Sequence, residues 1–170
     1  MEGTNVTEVY EAFLAKIEQD EWQNVNDLID AEKDWFQLLK IAIFRFKFPR
    51  ISLELIKTTP LTPLTPSDIS LEPSEPKEII TFAKTLTQGE IQVLATYMKD
   101  EWLKRQLASW QLMKQRFSTK DFEIFSPANL MAKIQASIEL SKIECVNIIN
   151  VYCRSIDGKP FDYSRWAGSK

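Results

Sequence analysis

Two long amphipathic patterns in the second half of the chain constrain its fold most strongly. The first covers about residues 88–117, where apolar residues recur at three- and four-residue spacing, and it opens with a capping box of Thr87 and Glu90. The second covers about residues 127–153, starts with a proline, and follows Ser126, a favourable N-cap residue. Two long helices joined by a short connection are expected to pack antiparallel.

Shorter patterns predict two more helices in the N-terminal half. Apolar residues at helical spacing predict a first helix over about residues 6–19, with Asn5 and Glu8 as its capping pair. A second helix follows and should end by Phe48, because Pro49 disfavours helical backbone in the residue before it. The chain is therefore predicted to be mainly α, a helical bundle of about four helices.

Residues 48–86 interrupt the helical pattern between helices two and three. The apolar residues of Ile51–Leu55 alternate with a period of two and predict a strand, and residues 79–82 can return as a second strand. The Thr-Pro steps of residues 59–66 favour polyproline II, which rises about 3.1 Å per residue. We expect a long proline-rich extended arm or a β-hairpin insert here. A disordered surface loop is the alternative.

Aromatic and basic residues alternate over residues 44–50, which read Phe-Arg-Phe-Lys-Phe-Pro-Arg. This alternation does not fit one face of an amphipathic helix, and it predicts an extended strand with rings and cations on opposite sides. We call residues 44–50 the aromatic-basic segment.

Charge is unevenly distributed along a chain whose net charge is −3. Residues 1–34 hold ten acidic residues against two lysines, a local charge of −8. Residues 40–57 hold five basic residues against one acidic residue, and residues 99–120 hold six against two, so each stretch carries +4. The acidic total argues against a protein that binds nucleic acid over its whole surface. The separate poles suit contacts between copies, although solvated helix faces would look the same.

The sequence contains no residue pattern that is typical of a catalytic or metal-binding site. The chain has no histidine, the commonest general base and metal ligand, and its four glycines form no phosphate-binding loop. We expect no enzymatic activity, no catalytic residues, no cofactor and no metal. No apolar run approaches the ~20 residues that a membrane span needs, and the N-terminal residues lack a signal-peptide pattern. These features predict a soluble protein made inside a cell.

The two cysteines are predicted to be buried free thiols. Cys145 and Cys153 lie on one predicted helix, roughly 12 Å apart along its axis, which is too far for a disulfide. Both fall near the apolar stripe of that helix. Free thiols of this kind indicate a reducing compartment.

Several short motifs, taken in order, resemble the neck or head-tail connector proteins of tailed bacteriophages. The first is a short helix with a central aromatic residue (residues 10–17), and the second is a segment that ends Phe-Pro-Arg (46–50). The third is a capped helix start of the form Leu-Thr-x-x-Glu (86–90), which is followed by residues 98–106. The fourth is Lys-Asp-Phe and then Ser-x-Ala-Asn (120–122 and 126–129). The resemblance covers most of the chain. It departs at Leu130, where the family has histidine, and it has no counterpart for the proline-rich insert or for the tail after Arg154.

The resemblance implies a structural virion protein of the phage neck. Such a protein docks beneath the portal as a ring of twelve copies, extends the DNA channel, and presents a surface to the next neck or tail component. DNA is then only the content of the channel, and no membrane is involved. The chain would form one connector domain, residues 1–153, with residues 154–170 as a C-terminal tail. It would assemble in the cytoplasm of the bacterial host.

Two groups of residues are candidates for the contacts of such a ring. In the tail, aromatic residues beside arginine are typical of interface anchors and are candidates for portal binding: Phe161, Tyr163, Arg165 and Trp166. The tail could equally fold back over its own helices. Contacts to neighbouring copies or to the tail-side partner are expected from the aromatic-basic segment and the arm: Phe46, Lys47, Phe48, Arg50, Ile51, Leu53, Leu61 and Leu64.

Two other functions remain open from the sequence. One is a small helical adaptor or regulatory protein of a cell, recognised by its partner through the proline-rich segment as a polyproline ligand. The other is a helical nucleic-acid-binding module, which would bind duplex DNA in a salt-dependent way.

Overall fold

The computed structural model describes residues 3–17, 28–58, 79–116, 127–156 and 159–160. Its elements, in chain order, are α1 (Val6–Leu14), α2 (Leu28–Arg45), β1 (Leu55–Thr58), β2 (Ile79–Phe82), α3 (Gln88–Arg116), α4 (Pro127–Arg154), β3 (Ser155–Ile156) and β4 (Lys159–Pro160). The predicted fold class is confirmed, since this is a mainly helical protein with a small antiparallel hairpin between α2 and α3. Residues 59–78 of the predicted arm lie outside the described residues.

Capping residues set the start of α1 and α3 as predicted. Asn5 Oδ1 accepts a hydrogen bond from the Thr7 amide at 3.1 Å, and the Glu90 carboxylate accepts one from the Thr87 amide at 2.8 Å. The first helix is shorter than the predicted residues 6–19. The Ala15 amide still bonds to the Glu11 carbonyl four residues back, but the amides of Lys16 and Ile17 bond to carbonyls three residues back, as in a tightened helical turn.

The long helix α3 is the centre of the bundle, and α1, α2 and α4 all pack against it. The predicted antiparallel packing of α3 and α4 is confirmed. Thr96, early in α3, lies beside Cys145 of α4, whereas Leu103, further along α3, lines the same groove as Ser137, nearer the start of α4. Fully buried apolar side chains from four elements form the core between them: Val9, Phe13, Leu38, Leu39, Ala42, Phe82, Val93, Leu94, Ala95 and Met98.

The hairpin pairs β1 with β2 in antiparallel register, from Leu55 opposite Phe82 to Thr58 opposite Ile79. The predicted strand over Ile51–Leu55 is therefore wrong in position, because only its last residue belongs to β1. The reason lies in the partner strand, which ends at Phe82 before the chain turns toward the capping box of α3. The Glu54 carbonyl accepts a hydrogen bond from the Ala83 amide at 2.8 Å, just beyond the end of β2. Residues before Glu54 therefore have no strand left to pair with.

The N-terminal residues cover the other edge of β2. The Phe82 amide donates to the Thr4 carbonyl at 2.8 Å, and the Leu86 amide donates to Thr4 Oγ1 at 2.8 Å. Thr4 is itself buried, and Phe82 lies in the core. The base of the insert is thus part of the bundle. Among the described helices, none combines the length and the apolar composition that crossing a membrane requires.

Candidate interaction surface

The aromatic-basic segment straddles the end of α2 and does not form the predicted strand. Phe44 and Arg45 are the last residues of the helix, and the Phe46 amide still bonds to the Ala42 carbonyl at 3.0 Å. The rings consequently do not share one side: Phe46 is 3% exposed, whereas Phe44 is 86% and Phe48 is 76% exposed. The helical turn at the end of α2 rotates Phe46 toward the core and leaves its two aromatic neighbours in solvent.

Phe46 lies among aromatic side chains of α3 and α4. Its ring meets that of Tyr152 edge-on at 5.2 Å between centroids, and that of Tyr97 at 6.5 Å. Such edge-to-face pairs add to the stabilisation from burial. Leu53 is also buried. These two predicted contact residues hold the core together in this structure, and their side chains are not available to a partner.

Arg50, the last residue of the aromatic-basic segment, binds the C-terminal end of α4. Its guanidinium lies 4.7 Å from the centre of the Tyr152 ring, and its Nη2 donates to the Tyr152 carbonyl at 2.7 Å and to the Ser155 carbonyl. A cation at this end of a helix satisfies carbonyls that lack helical partners and complements the helix dipole. The segment after α2 is thereby fastened to α4.

Tyr152 extends this connection to the start of α3. Its phenol oxygen accepts a hydrogen bond from the Arg50 amide at 2.8 Å, and its hydroxyl donates to Glu90 Oε1 at 2.9 Å. Glu90 is fully buried, and its other oxygen accepts from the amide and hydroxyl of Thr87. Burial, together with Glu90, raises the pKa of Tyr152, so the phenol keeps its proton at neutral pH. We call Arg50, Tyr152 and Glu90 the junction.

A second polar cluster joins α2 to α3. Asp100 is fully buried and accepts hydrogen bonds from Arg45 at 2.6 Å and from Lys104 at 2.7 Å. The Arg45 guanidinium also lies 4.8 Å from the centre of the Tyr97 ring. Burial alone would raise the pKa of Asp100, but the hydrogen bonds from Lys104 and Arg45 outweigh it and lower that pKa. Asp100 therefore remains an anion.

Several large apolar side chains among the described residues are exposed. Phe44 and Phe48 lie at and just after the end of α2. Four aliphatic side chains on α4, which we call the α4 outer face, are each between 58% and 68% exposed: Leu140, Ile143, Val146 and Val151. Exposed polar residues such as Glu139, Asn147 and Asn150 are interleaved with these aliphatic side chains.

The remaining predicted contact residues divide into three groups. Lys47, Phe48 and Arg50 are exposed, and Ile51 is half-buried. Leu61 and Leu64 of the arm lie outside the described residues, as do the four residues predicted to bind the portal: Phe161, Tyr163, Arg165 and Trp166. The α4 outer face was not among the predicted sites, and only two of its residues, Val146 and Val151, lie in a stretch without charge. No charged residue occurs between Glu144 and Arg154.

The prediction of two buried cysteines is correct for Cys145 and wrong for Cys153, which is exposed. Eight residues of α-helix are about 2.2 turns, so the second thiol is rotated by roughly 80° away from the buried side. Burial, with a smaller effect from Asp100, raises the pKa of the Cys145 thiol to about 11.

Within the part of the chain that the structure describes, no cluster of three or more cysteine, aspartate or glutamate residues could hold a metal ion. Lys16, Lys99 and Glu144 line a shallow groove of about 260 Å³ between α3 and α4, where Lys99 and Glu144 form an ion pair at 2.8 Å. No family model, curated protein or solved structure matches the chain.

Proposed function

We propose that this protein is a structural component of the neck of a tailed bacteriophage. In this proposal, copies of the chain form a ring beneath the portal, extend the DNA channel and connect the head to the tail. The partners are the portal protein, neighbouring copies and the next neck or tail component. The protein has a mechanical role, with no catalytic step and no cofactor.

The junction is the observation that carries the proposal. Two motifs of the resemblance, the Phe-Pro-Arg segment and the Leu-Thr-x-x-Glu helix start, lie far apart in sequence. In the structure, Arg50 of the first motif and Glu90 of the second both bind Tyr152. Motif residues that depend on one another for burial and hydrogen bonding form a structural unit. This supports the interpretation that the two motifs belong to one family pattern and did not arise separately by chance.

The surface of the bundle also suits an assembly component. Phe44, Phe48 and the α4 outer face expose large apolar side chains. Large exposed aromatic and aliphatic side chains of this kind are typical of the centre of protein interfaces. A neck protein needs such surfaces because every copy contacts two neighbours in its ring and one component on each side.

A binding experiment with the portal tests the proposal directly. The purified full-length chain would be mixed with the portal protein of the same phage, the mass of any complex measured, and the complex imaged by electron microscopy. We expect a ring coaxial with the portal. A chain that remains monomeric and unbound would contradict the proposal and would favour the cellular adaptor.

The predicted portal contacts can be tested in the same assay. Replacing Phe161, Tyr163, Arg165 and Trp166 together by alanine should abolish portal binding and leave the helical circular dichroism unchanged. The matched control replaces Asp162 and Ser164 of the same tail by alanine and should bind as well as the unmodified chain. Normal binding by the fourfold variant would show that the portal contact lies elsewhere on the protein.

A further inference from the structure

We infer that, in the free chain, residues 161–170 pack on Phe44 and Phe48 of their own bundle and must be released from them before they bind the portal. We call residues 161–170 the aromatic tail. The packing is independent of the neck function, whereas the release step rests on that proposed function.

The C-terminal end of α4 holds the start of the aromatic tail close to Phe48. Ser155 pairs with Pro160 across the small hairpin of β3 and β4, so their Cα atoms lie about 5 Å apart. The carbonyl of the same Ser155 accepts a hydrogen bond from the Arg50 guanidinium. Arg50 follows Phe48 by two residues, which limits the distance between those two Cα atoms to about 7.6 Å. The last described residue before the tail is therefore tied to the segment that carries Phe48.

The rings of Phe44 and Phe48 offer the tail an uncovered apolar surface. They are 86% and 76% exposed, which makes them the most exposed large apolar side chains among the described residues. Aromatic rings gain stabilisation from packing against other rings, beyond the burial of their area. A partner that brings further aromatic side chains therefore suits this surface.

The aromatic tail brings such side chains. Three of its ten residues are aromatic, against 11% of the whole chain. Phe161 and Tyr163 alternate with the polar residues Asp162 and Ser164, so an extended backbone would direct both rings to one side. A segment this short cannot bury its rings within itself. They gain burial only against a surface that the tail reaches.

The length of the aromatic tail favours its own bundle as that surface. Ten residues extend over up to about 33 Å, which is enough to reach Phe48 and then Phe44, four residues earlier. A tethered segment is present at its target at a high effective concentration. The tail of the same chain consequently outcompetes the tail of a second copy in dilute solution.

Trypsin cleavage after Arg165 tests the packing in the free full-length chain. Cleavage there releases the last five residues, which mass spectrometry quantifies. We expect Phe44→Ser combined with Phe48→Ser to speed this release at least about tenfold, because a protease cleaves only the detached tail. The matched control combines Ile143→Ser with Val146→Ser, exposed apolar positions on α4, and should be cleaved as slowly as the unmodified chain. All four positions are exposed, so both variants should fold normally, which circular dichroism would check.

Three other outcomes would overturn the packing. Cleavage of the unmodified chain as fast as that of a free peptide of residues 155–170 would show that the tail is not protected. Protection that persists in the variant with Phe44→Ser and Phe48→Ser would place the tail elsewhere on the bundle. Protection that increases with protein concentration would assign the tail to another copy.

Association with the portal tests the release step separately. A tail that is detached for only part of the time lowers the apparent binding in proportion to that fraction. The variant with Phe44→Ser and Phe48→Ser should therefore associate with immobilised portal protein at least about threefold faster than the unmodified chain, as measured by surface plasmon resonance. Equal association rates would refute the release step. Binding by neither chain, with the protection intact, would refute the neck function and leave the packing supported.

Discussion

The hydroxyl of Tyr152 donates a hydrogen bond to the fully buried carboxylate of Glu90 at 2.9 Å, which joins the last turns of α4 to the first turn of α3. The two residues are 62 positions apart in the sequence. This bond closes the antiparallel pair α3–α4 at the end where the aromatic-basic segment crosses the bundle.

Removing this hydroxyl should destabilise the protein measurably. Tyr152→Phe keeps the ring but leaves Glu90 Oε1 without its donor and the Arg50 amide without its acceptor. Orphaned buried polar groups of this kind cost about 1–3 kcal/mol, and urea denaturation would measure the loss. Tyr97→Phe is the matched control, with an expected change within about 0.5 kcal/mol. A similar loss in both variants would contradict the role assigned to the Tyr152 hydroxyl.

Arg50 should contribute to stability in a way that lysine cannot replace. Arg50→Ala removes the bonds to the carbonyls of Tyr152 and Ser155, and we expect a loss of roughly 1 kcal/mol. Arg50→Lys should recover less than half of it, because an ammonium cannot stack a planar group on the Tyr152 ring as the guanidinium does. Lys47→Ala, an exposed cation of the same segment, is the control. If Arg50→Lys restored the full stability of the unmodified chain, the positive charge at this position would be sufficient for that stability.

Asp100 should contribute more to stability than an exposed carboxylate in a comparable ion pair. Asp100→Asn weakens two charged hydrogen bonds at a fully buried site, which we expect to cost about 2–3 kcal/mol. Asp34→Asn breaks the more exposed pair of Asp34 with Arg105 at 3.0 Å and should cost under about 1 kcal/mol. Thermal and urea unfolding of the two variants would be compared directly. Equal losses of stability in Asp100→Asn and Asp34→Asn would mean that burial of the carboxylate adds nothing to its contribution to stability.

The same residue predicts how stability depends on acidity. The pKa of Asp100 in the folded protein lies below its ordinary value of 3.8, so its contribution is present above about pH 4 and is lost as pH falls through the folded value. The contribution of Glu144 to stability should depend on pH in the same direction. Its interactions with Lys99 and Lys16 outweigh the effect of burial and lower its pKa. Urea midpoints between pH 7 and pH 2 should therefore fall less steeply for Asp100→Asn than for the unmodified chain. If the urea midpoints of both proteins fell equally with pH, Asp100 would not be a source of the pH dependence.

The two thiols should differ strongly in reactivity. Cys153 is exposed and should react with iodoacetamide in the folded protein. Cys145 is buried, and its pKa is raised to about 11, so little thiolate is present at neutral pH. Mass spectrometry should show one adduct on the native chain and two after unfolding in urea. Two adducts formed at one rate without denaturant would show that the Cys145 site opens readily.

The sequence was sufficient for features that depend on neighbouring residues. The start of α3 followed from the capping box of Thr87 and Glu90, and the start of α4 from Pro127, because capping is a matter of residues within one turn. The return strand of the hairpin was predicted correctly at residues 79–82, whereas its first strand was predicted too early, at Ile51–Leu55 in place of Leu55–Thr58. Its register depends on where the partner strand ends, and that end is set by the turn from Phe82 into α3.

The orientation of individual side chains in the candidate surface could not be predicted from the sequence. Phe44, Phe46 and Phe48 carry the same side chain, and the helical turn at the end of α2 directs Phe46 toward the rings of Tyr97 and Tyr152 in the bundle. Those partners are distant in sequence, so no local pattern indicates them. The α4 outer face was not predicted as a site, because its apolar residues lie outside the apolar stripe that defines the buried side of the same helix.

The pairing of Thr58 with Ile79 places the two described residues that flank residues 59–78 directly opposite each other. A change in the length of that segment therefore need not move any helix. The entropic cost of closing a loop grows only by about 0.6 kcal/mol for each doubling of its length. This position is consequently a natural site for inserting a fluorescent reporter or an affinity tag, and one where related chains could diverge freely in length while keeping the same bundle.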